Sequence, residues 1–164
     1  MRIWSLVAGL LLAMSCNQSQ VGNMTGLVTQ NGVSNNISVS FSSLTFPTTS
    51  SNTTFIIELS NLSDHLATFT LNSPNPSGSD LSSLFPTGIY AIASNGNSFT
   101  ATVPFQGTST TSITGLDGQL QLTVLQFGQD SSGNPAVAMI TGEYTVDLEN
   151  NGFVQGSFEA DFTQ

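Results

Sequence analysis

Along most of this chain apolar and polar residues alternate with a period of two. Ile37, Val39 and Phe41 share one face of an extended backbone, and Phe99, Ala101, Val103 and Phe105 share another. Successive side chains of a strand point to opposite faces, so such runs bury one side of a sheet and leave the other in water. The candidate strands are 25–30, 37–42, 55–60, 66–72, 88–93, 99–105, 119–127, 137–149 and 153–163, each bounded by Asn, Gly, Ser or Pro. Between them recur Asn31-Gly32, Asn95-Gly96, Asp117-Gly118, Ser132-Gly133 and Asn151-Gly152, dipeptides that accept positive φ and so suit chain reversals. Segments 46–54 and 73–86, rich in Pro, Ser, Thr and Asn, read as loops, the second with room for a short helical turn around 80–84. Strands this close together, with no helices between them, pack as antiparallel sheets. The expected fold is an all-β antiparallel β-sandwich, with a closed or partly open β-barrel as the alternative. Thr, Ser and Gln on the outward positions face water and exclude a lipid-facing barrel.

Charge narrows the choice of partner. The chain holds a single Lys or Arg, Arg2, against 10 Asp and Glu, for a formal charge of −9. Phosphate recognition rests on clustered Lys and Arg that displace counterions, so nucleic acid is excluded as a partner. Anionic lipid headgroups are excluded as electrostatic partners by the same argument. Cations, basic protein surfaces and neutral polymers stay compatible. Hydrophobic residues make up 38% of the chain, with 11 Phe, which supports one packed core of ordinary domain size.

The first residues read as an address. Arg2 precedes an apolar stretch, Ile3 to Met14, that is too short to span a bilayer. It ends in Leu12-Ala13-Met14-Ser15-Cys16, and Cys16 is the only cysteine in the chain. This segment resembles the lipobox of bacterial lipoproteins, with Ala13 standing where Leu is usual. The resemblance covers the first sixteen residues and implies cleavage before Cys16, acylation of its thiol and amine, and a lipid anchor in the cell envelope. In a Gram-negative host that means the outer membrane or the cell surface. Several acyl chains, at roughly 0.8 kcal/mol per buried methylene, hold a protein on a bilayer without a spanning helix. The expected organisation is a signal peptide at 1–15, an acylated cysteine and flexible tether at 16–24, and a single β-domain at 25–164. The alternative is ordinary cleavage after Ala13-Met14-Ser15, which leaves a secreted soluble domain.

The C-terminal hairpin suggests a candidate site. If Gly152 takes a left-handed bulge position in a three-residue loop, Tyr144 pairs with Phe158, Leu148 with Val154 and Ile140 with Phe162, so one face is wholly buried. The outer face then sets Glu143 opposite Glu159 and Thr141 opposite Asp161. Opposed like charges destabilise a sheet, and no Lys or Arg is at hand to relieve them. Glu143, Glu159 and Asp161 are accordingly candidate ligands for a hard cation such as Ca2+; a solvated acidic surface is the other reading. No other cofactor is implied. Asp64, Asp117 and Asp130 read as turn formers.

No catalytic set stands out. His65 is the sole histidine and is expected in a turn after Asp64; Gly-x-Ser-x-Gly, a zinc spacing and a phosphate loop are all missing from the sequence. The paired carboxylates meet one requirement of glycoside hydrolysis, but the only Trp is Trp4 and the only Tyr are Tyr90 and Tyr144, few for sugar platforms. The expectation is a non-enzymatic accessory, structural or adhesion domain that contacts protein or neutral polysaccharide. Alternatives are a carbohydrate- or Ca2+-binding module and, behind it, a hydrolase built on His65 or on Glu143 and Glu159.

Overall fold

The computed structural model describes residues 19–41, 43–45, 53–61, 64–105 and 109–162. The expected leader and Cys16 lie outside them. In chain order the elements are β1 (Ser19–Gln30), β2 (Val33–Phe41), β3 (Ser43–Thr45), β4 (Thr54–Asn61), β5 (Asp64–Asn72), α1 (Leu81–Leu84), β6 (Gly88–Ala91), β7 (Ser98–Phe105), β8 (Ser109–Gln129), β9 (Pro135–Leu148) and β10 (Gly152–Asp161). They form one antiparallel sheet in the order β2-β1-β10-β9-β8-β7-β5-β4-β3, with β6 added beside β8. The sheet folds over on itself without closing, and the chain is an all-β sandwich.

The fold-over is made by β8, which is 21 residues long. Its first part pairs with β7 as far as Thr114, and from Gly115 onward it pairs with β9. At the corner the register slips between Gly115 and Asp117, and Gly118 takes φ +128°. Asp117-Gly118 therefore bends a strand at the place where the sequence suggested a reversal. A bulge with a positive-φ glycine redirects the chain while the ladder continues on either side of it. The Asn31-Gly32 turn does reverse the chain, with φ of 51° and 79° between the paired Gln30 and Val33. The Asp130 carboxylate closes the β8–β9 hairpin by accepting from the backbone N–H of Ser132 at 2.8 Å and of Asn134 at 2.9 Å. Those hydrogen bonds hold Asp130 below the usual carboxylate range, and the N–H and hydroxyl of Ser83 do the same for Asp80 at the start of α1.

Four aromatic rings tie the two layers together. Phe69 of β5 lies 4.8 Å from Phe99 of β7, 5.1 Å from Tyr144 of β9 and 6.4 Å from Phe158 of β10, measured between ring centroids. A second group joins Phe55, Phe85 and Phe127 at 5.5 and 6.1 Å. These separations suit the tilted and edge-to-face contacts that aromatic quadrupoles favour. The alternation read from sequence thus delivers its apolar side chains to one shared interior, with Phe69, Phe99 and Phe158 wholly or almost wholly buried.

In the C-terminal hairpin the faces agree with the sequence reading and the register does not. Tyr144 and Phe158 both point into the core, but Tyr144 pairs with Gly156 and Phe158 with Gly142. The loop is Glu149–Asn151, and Asn151, not Gly152, takes the left-handed conformation at φ 60°. Gly152 instead begins β10 where the Leu27 carbonyl passes so close that a Cβ would stand 2.6 Å from its oxygen. The change moves the pairing by two residues, so parity survives while partners change. Each ring now lies over a glycine of the neighbouring strand: a Cβ on Gly142 would meet Phe158 Cζ at 2.6 Å.

Both tyrosines resist ionisation. The Tyr90 hydroxyl donates to the Pro86 carbonyl at 2.7 Å, and burial pushes its phenol up from 10.0 to about 12; burial also raises that of Tyr144. For groups whose folded value is raised, the stabilising contribution is whole below the unfolded value and is lost as pH climbs through the folded one. Unfolding free energy is therefore expected to begin declining near pH 10, as the unfolded phenols ionise, and to keep falling until the folded Tyr90 itself ionises at about pH 12. Parallel phenolate absorbance and far-UV ellipticity titrations check this. Ionisation completed near pH 10 with the ellipticity unchanged would contradict the burial of these hydroxyls.

Candidate functional site

The outer surface of the β2-β1-β10-β9-β8 layer is a field of polar side chains in register, short ones from β2 and β1 and longer Gln and Glu from β10, β9 and β8. One row runs Ser40, Asn23, Ser157, Glu143, Gln121, and the next runs Ser38, Thr25, Gln155, Thr145, Gln119. Strands lie about 4.8 Å apart and like-facing residues about 6.8 Å apart along each strand, so the field presents a regular grid of donors and acceptors. Its members from β1, β10, β9 and β8 line a shallow depression of about 390 Å3, with Tyr144 and Gly156 at its base.

The base of the depression is built by a departure from simple pairing. Tyr144 reaches under β10 at Gly156, where there is no Cβ, and its hydroxyl donates to the Asn23 carbonyl of β1 at 3.0 Å. A Cβ on Gly156 would collide with that carbonyl oxygen and stand 2.6 Å from the Tyr144 hydroxyl. The Asn23 side chain then supplies the missing acceptor, taking the Ser157 backbone N–H on its Oδ1 at 3.1 Å. The Tyr144 hydroxyl, the Asn23 carbonyl and the Ser157 N–H are all paired in this exchange, as buried or half-buried groups require.

The candidate carboxylates are distributed over this face and do not pair as anticipated. Glu143 stands opposite Ser157, Glu159 opposite Thr141, and Asp161 opposite Met139, so the expected directly opposed Glu143–Glu159 pair is replaced by a diagonal one. The two-residue change of register is the cause. Glu143 lines the depression, whereas Glu159 and Asp161 do not. Asp117 and Asp147 stand opposite one another across β8 and β9, and Asp117 Oδ1 accepts from the Gly118 N–H at 2.7 Å. Among the described residues no three His, Cys, Asp or Glu side chains stand close enough together to hold a metal ion. The backbone of Asp64 and His65 lies in the first residues of β5, paired with Asn61 and Ser60, and not in the turn expected for them. That places His65 in the opposite layer of the sandwich from Glu143 and Glu159.

The sequence reading missed Asn23, which it assigned to the tether at 16–24, and Phe153. Phe153 is 40% exposed and stands on the same outer side of β10 as Gln155 and Ser157, between Leu27 and Asp147. Its phase was the signal: with Val154 and Phe158 turned inward, Phe153 must turn outward.

A second groove, of about 590 Å3, lies beside β6, between the 73–86 loop and the turn that carries Asn95 and Asn97. Asn97 is the buried polar residue there; its Oδ1 accepts from the Asn72 N–H at 2.9 Å and its Nδ2 donates to the Ala91 carbonyl at 3.0 Å. These bonds hold the 92–97 turn against the end of β5, a structural task.

No protein-family model matches the chain, and no curated protein or solved structure is similar enough to be counted a relative. Among the described residues no helix is long and apolar enough to cross a membrane.

Proposed function

We propose that this chain is an exported bacterial lipoprotein, held in the cell envelope through an acylated Cys16, whose β-sandwich works by non-covalent contact as an accessory or adhesion-type domain. The observation that carries the contact reading is the in-register polar field on the outer face of the β2-β1-β10-β9-β8 layer. A flat, stiff sheet surface bearing many neutral donors and acceptors suits recognition of an extended partner, and its backbone loses little freedom on binding. Catalysis instead needs acid, base or nucleophile converging on one reacting atom. Here Glu143 lines the depression without Glu159, and His65 belongs to the other layer.

The address rests on the leader, and one structural feature fits it. Among the described residues β1 begins at Ser19, three positions after Cys16, so 19–24, expected as tether, are part of a strand. Because β1 lies between β2 and β10, a load on the anchor is passed directly to an interior strand. Intact mass of the protein recovered from membranes tests the address. The expected result is a chain beginning at Cys16 with a diacyl or triacyl increment, lost in Cys16→Ser. An unmodified chain beginning at Cys16 or beyond would replace the anchored lipoprotein with a secreted domain.

A further inference from the structure

The ligand class of the polar field follows from what it offers and from what it lacks. No Lys or Arg occurs beyond Arg2, so nothing on this surface neutralises a phosphate, sulfate or carboxylate, and the 10 acidic residues repel one. Within the depression Glu143 is the single carboxylate; its neighbours Gln119, Gln121, Gln155 and Thr25 are neutral. Primary amides carry two donors and two acceptor lone pairs on one planar group. Such groups can donate to one hydroxyl and accept from the next on a polyol, the pattern a sugar ring displays around its edge. A sugar also has an apolar C–H face, which needs a flat hydrophobic surface. Phe153 supplies one at the end of the field, 40% exposed and one outer position along β10 from Gln155.

We propose that the depression over Gln119, Gln121, Glu143 and Gln155, together with Phe153 one outer position beyond it on β10 and opposite Asp147, is a binding site for a neutral, unbranched polysaccharide segment. The inference rests on the reading that the domain acts by contact, and it names the partner. Between Phe153 and Ser157 the outer face of β10 runs about 14 Å at 3.4 Å per residue, and the four strands from β1 to β8 span a similar width, so the site accommodates several sugar units. Most of the contacting side chains are exposed and long, and ordering each one opposes binding, so affinity per site is expected in the millimolar to high micromolar range. The depression is open at the surface, which leaves room for a chain to continue past it in both directions.

The test titrates the uniformly 15N-labelled protein with cellohexaose, maltohexaose and xylohexaose, each at millimolar concentration and each with and without Ca2+, and in parallel with a tetralysine peptide. Expected is a saturable response to at least one hexasaccharide in the side-chain amide signals of Gln119, Gln121 and Gln155. Phe153→Ala and Gln121→Ala are each expected to weaken that binding by about fivefold or more. Both residues are exposed and outside the core, so the variants should melt with the parent; Ile89→Ala, in the groove beside β6, should bind as the parent does. Silence toward all three hexasaccharides overturns the proposal, as does a response confined to residues around Ile89 and Asn97. A response to tetralysine alone also overturns it, while leaving the domain a binder of another class. Recovery of shortened oligosaccharides would overturn the contact reading itself, because it would make the domain a hydrolase.

Discussion

Phe69→Ala is expected to lower the unfolding free energy by about 3–5 kcal/mol, the range for removing a fully buried Phe and leaving a partly relaxed cavity. The ring is completely buried and touches Phe99 in its own layer and both Tyr144 and Phe158 in the other. Its loss therefore empties the space between the layers and not a margin of the core. A domain of this size is stable by about 5–15 kcal/mol, so the variant would stand near the edge of folding at room temperature. Urea denaturation followed by far-UV ellipticity measures it, with a large fall in the midpoint and little change in slope. Phe153→Ala is the internal comparison: the same chemical deletion on the outer face should cost a small fraction as much. Equal losses at the two positions would mean that Phe69 does not bridge the layers.

How much of this was legible from sequence depends on which physical rule each feature obeys. Period-two alternation is a local rule, and it located nine of the strands in whole or in part and the inward faces of Ile37, Phe99, Tyr144 and Phe158. The short helical turn was expected around 80–84, and the structure places it at Leu81–Leu84 with Asp80 as its N-cap, accepting from the Ser83 N–H. The first part of β8 was missed because its alternation is carried by Ser and Thr around Ile113, whose burial depends on β7 beside it and not on any apolar run. The strand's bend was missed because Asp117-Gly118 serves a bulge as well as a turn. The polar face was half visible: alternation put Gln119, Gln121, Glu143 and Gln155 outside, but it takes the strand order to bring β1, β10, β9 and β8 side by side.

The hairpin register failed for a different reason, and that reason is itself testable. The sequence reading chose its register because it buries one whole face, a criterion that a shift of two residues satisfies equally well. The structure pairs Gly142 with Phe158 and Gly156 with Tyr144, so each large ring covers the gap its partner leaves. A trace of this was present in Gly142-Glu143-Tyr144 and Gly156-Ser157-Phe158, two copies of Gly-x-aromatic set symmetrically about the turn. Gly142→Ala is accordingly expected to destabilise by about 1–3 kcal/mol, the cost of overpacking a filled interior. Three atoms of the Phe158 ring are the nearest obstacles to the new methyl group, at 2.6, 3.0 and 3.1 Å, and they belong to one side chain and not to backbone. The penalty should therefore depend on that ring. In a Phe158→Leu background, itself destabilised, adding Gly142→Ala is expected to cost far less, giving a coupling energy of about 1–2 kcal/mol between the two sites. Urea midpoints of the four proteins in the cycle supply the measurement. Strict additivity would place Phe158 away from Gly142, and the hairpin would then have to adopt the register with Tyr144 facing Phe158. That register sets Glu143 against Glu159, which removes Glu143 from its place between Ser157 and Gln121 and disperses the polar field assigned to the ligand.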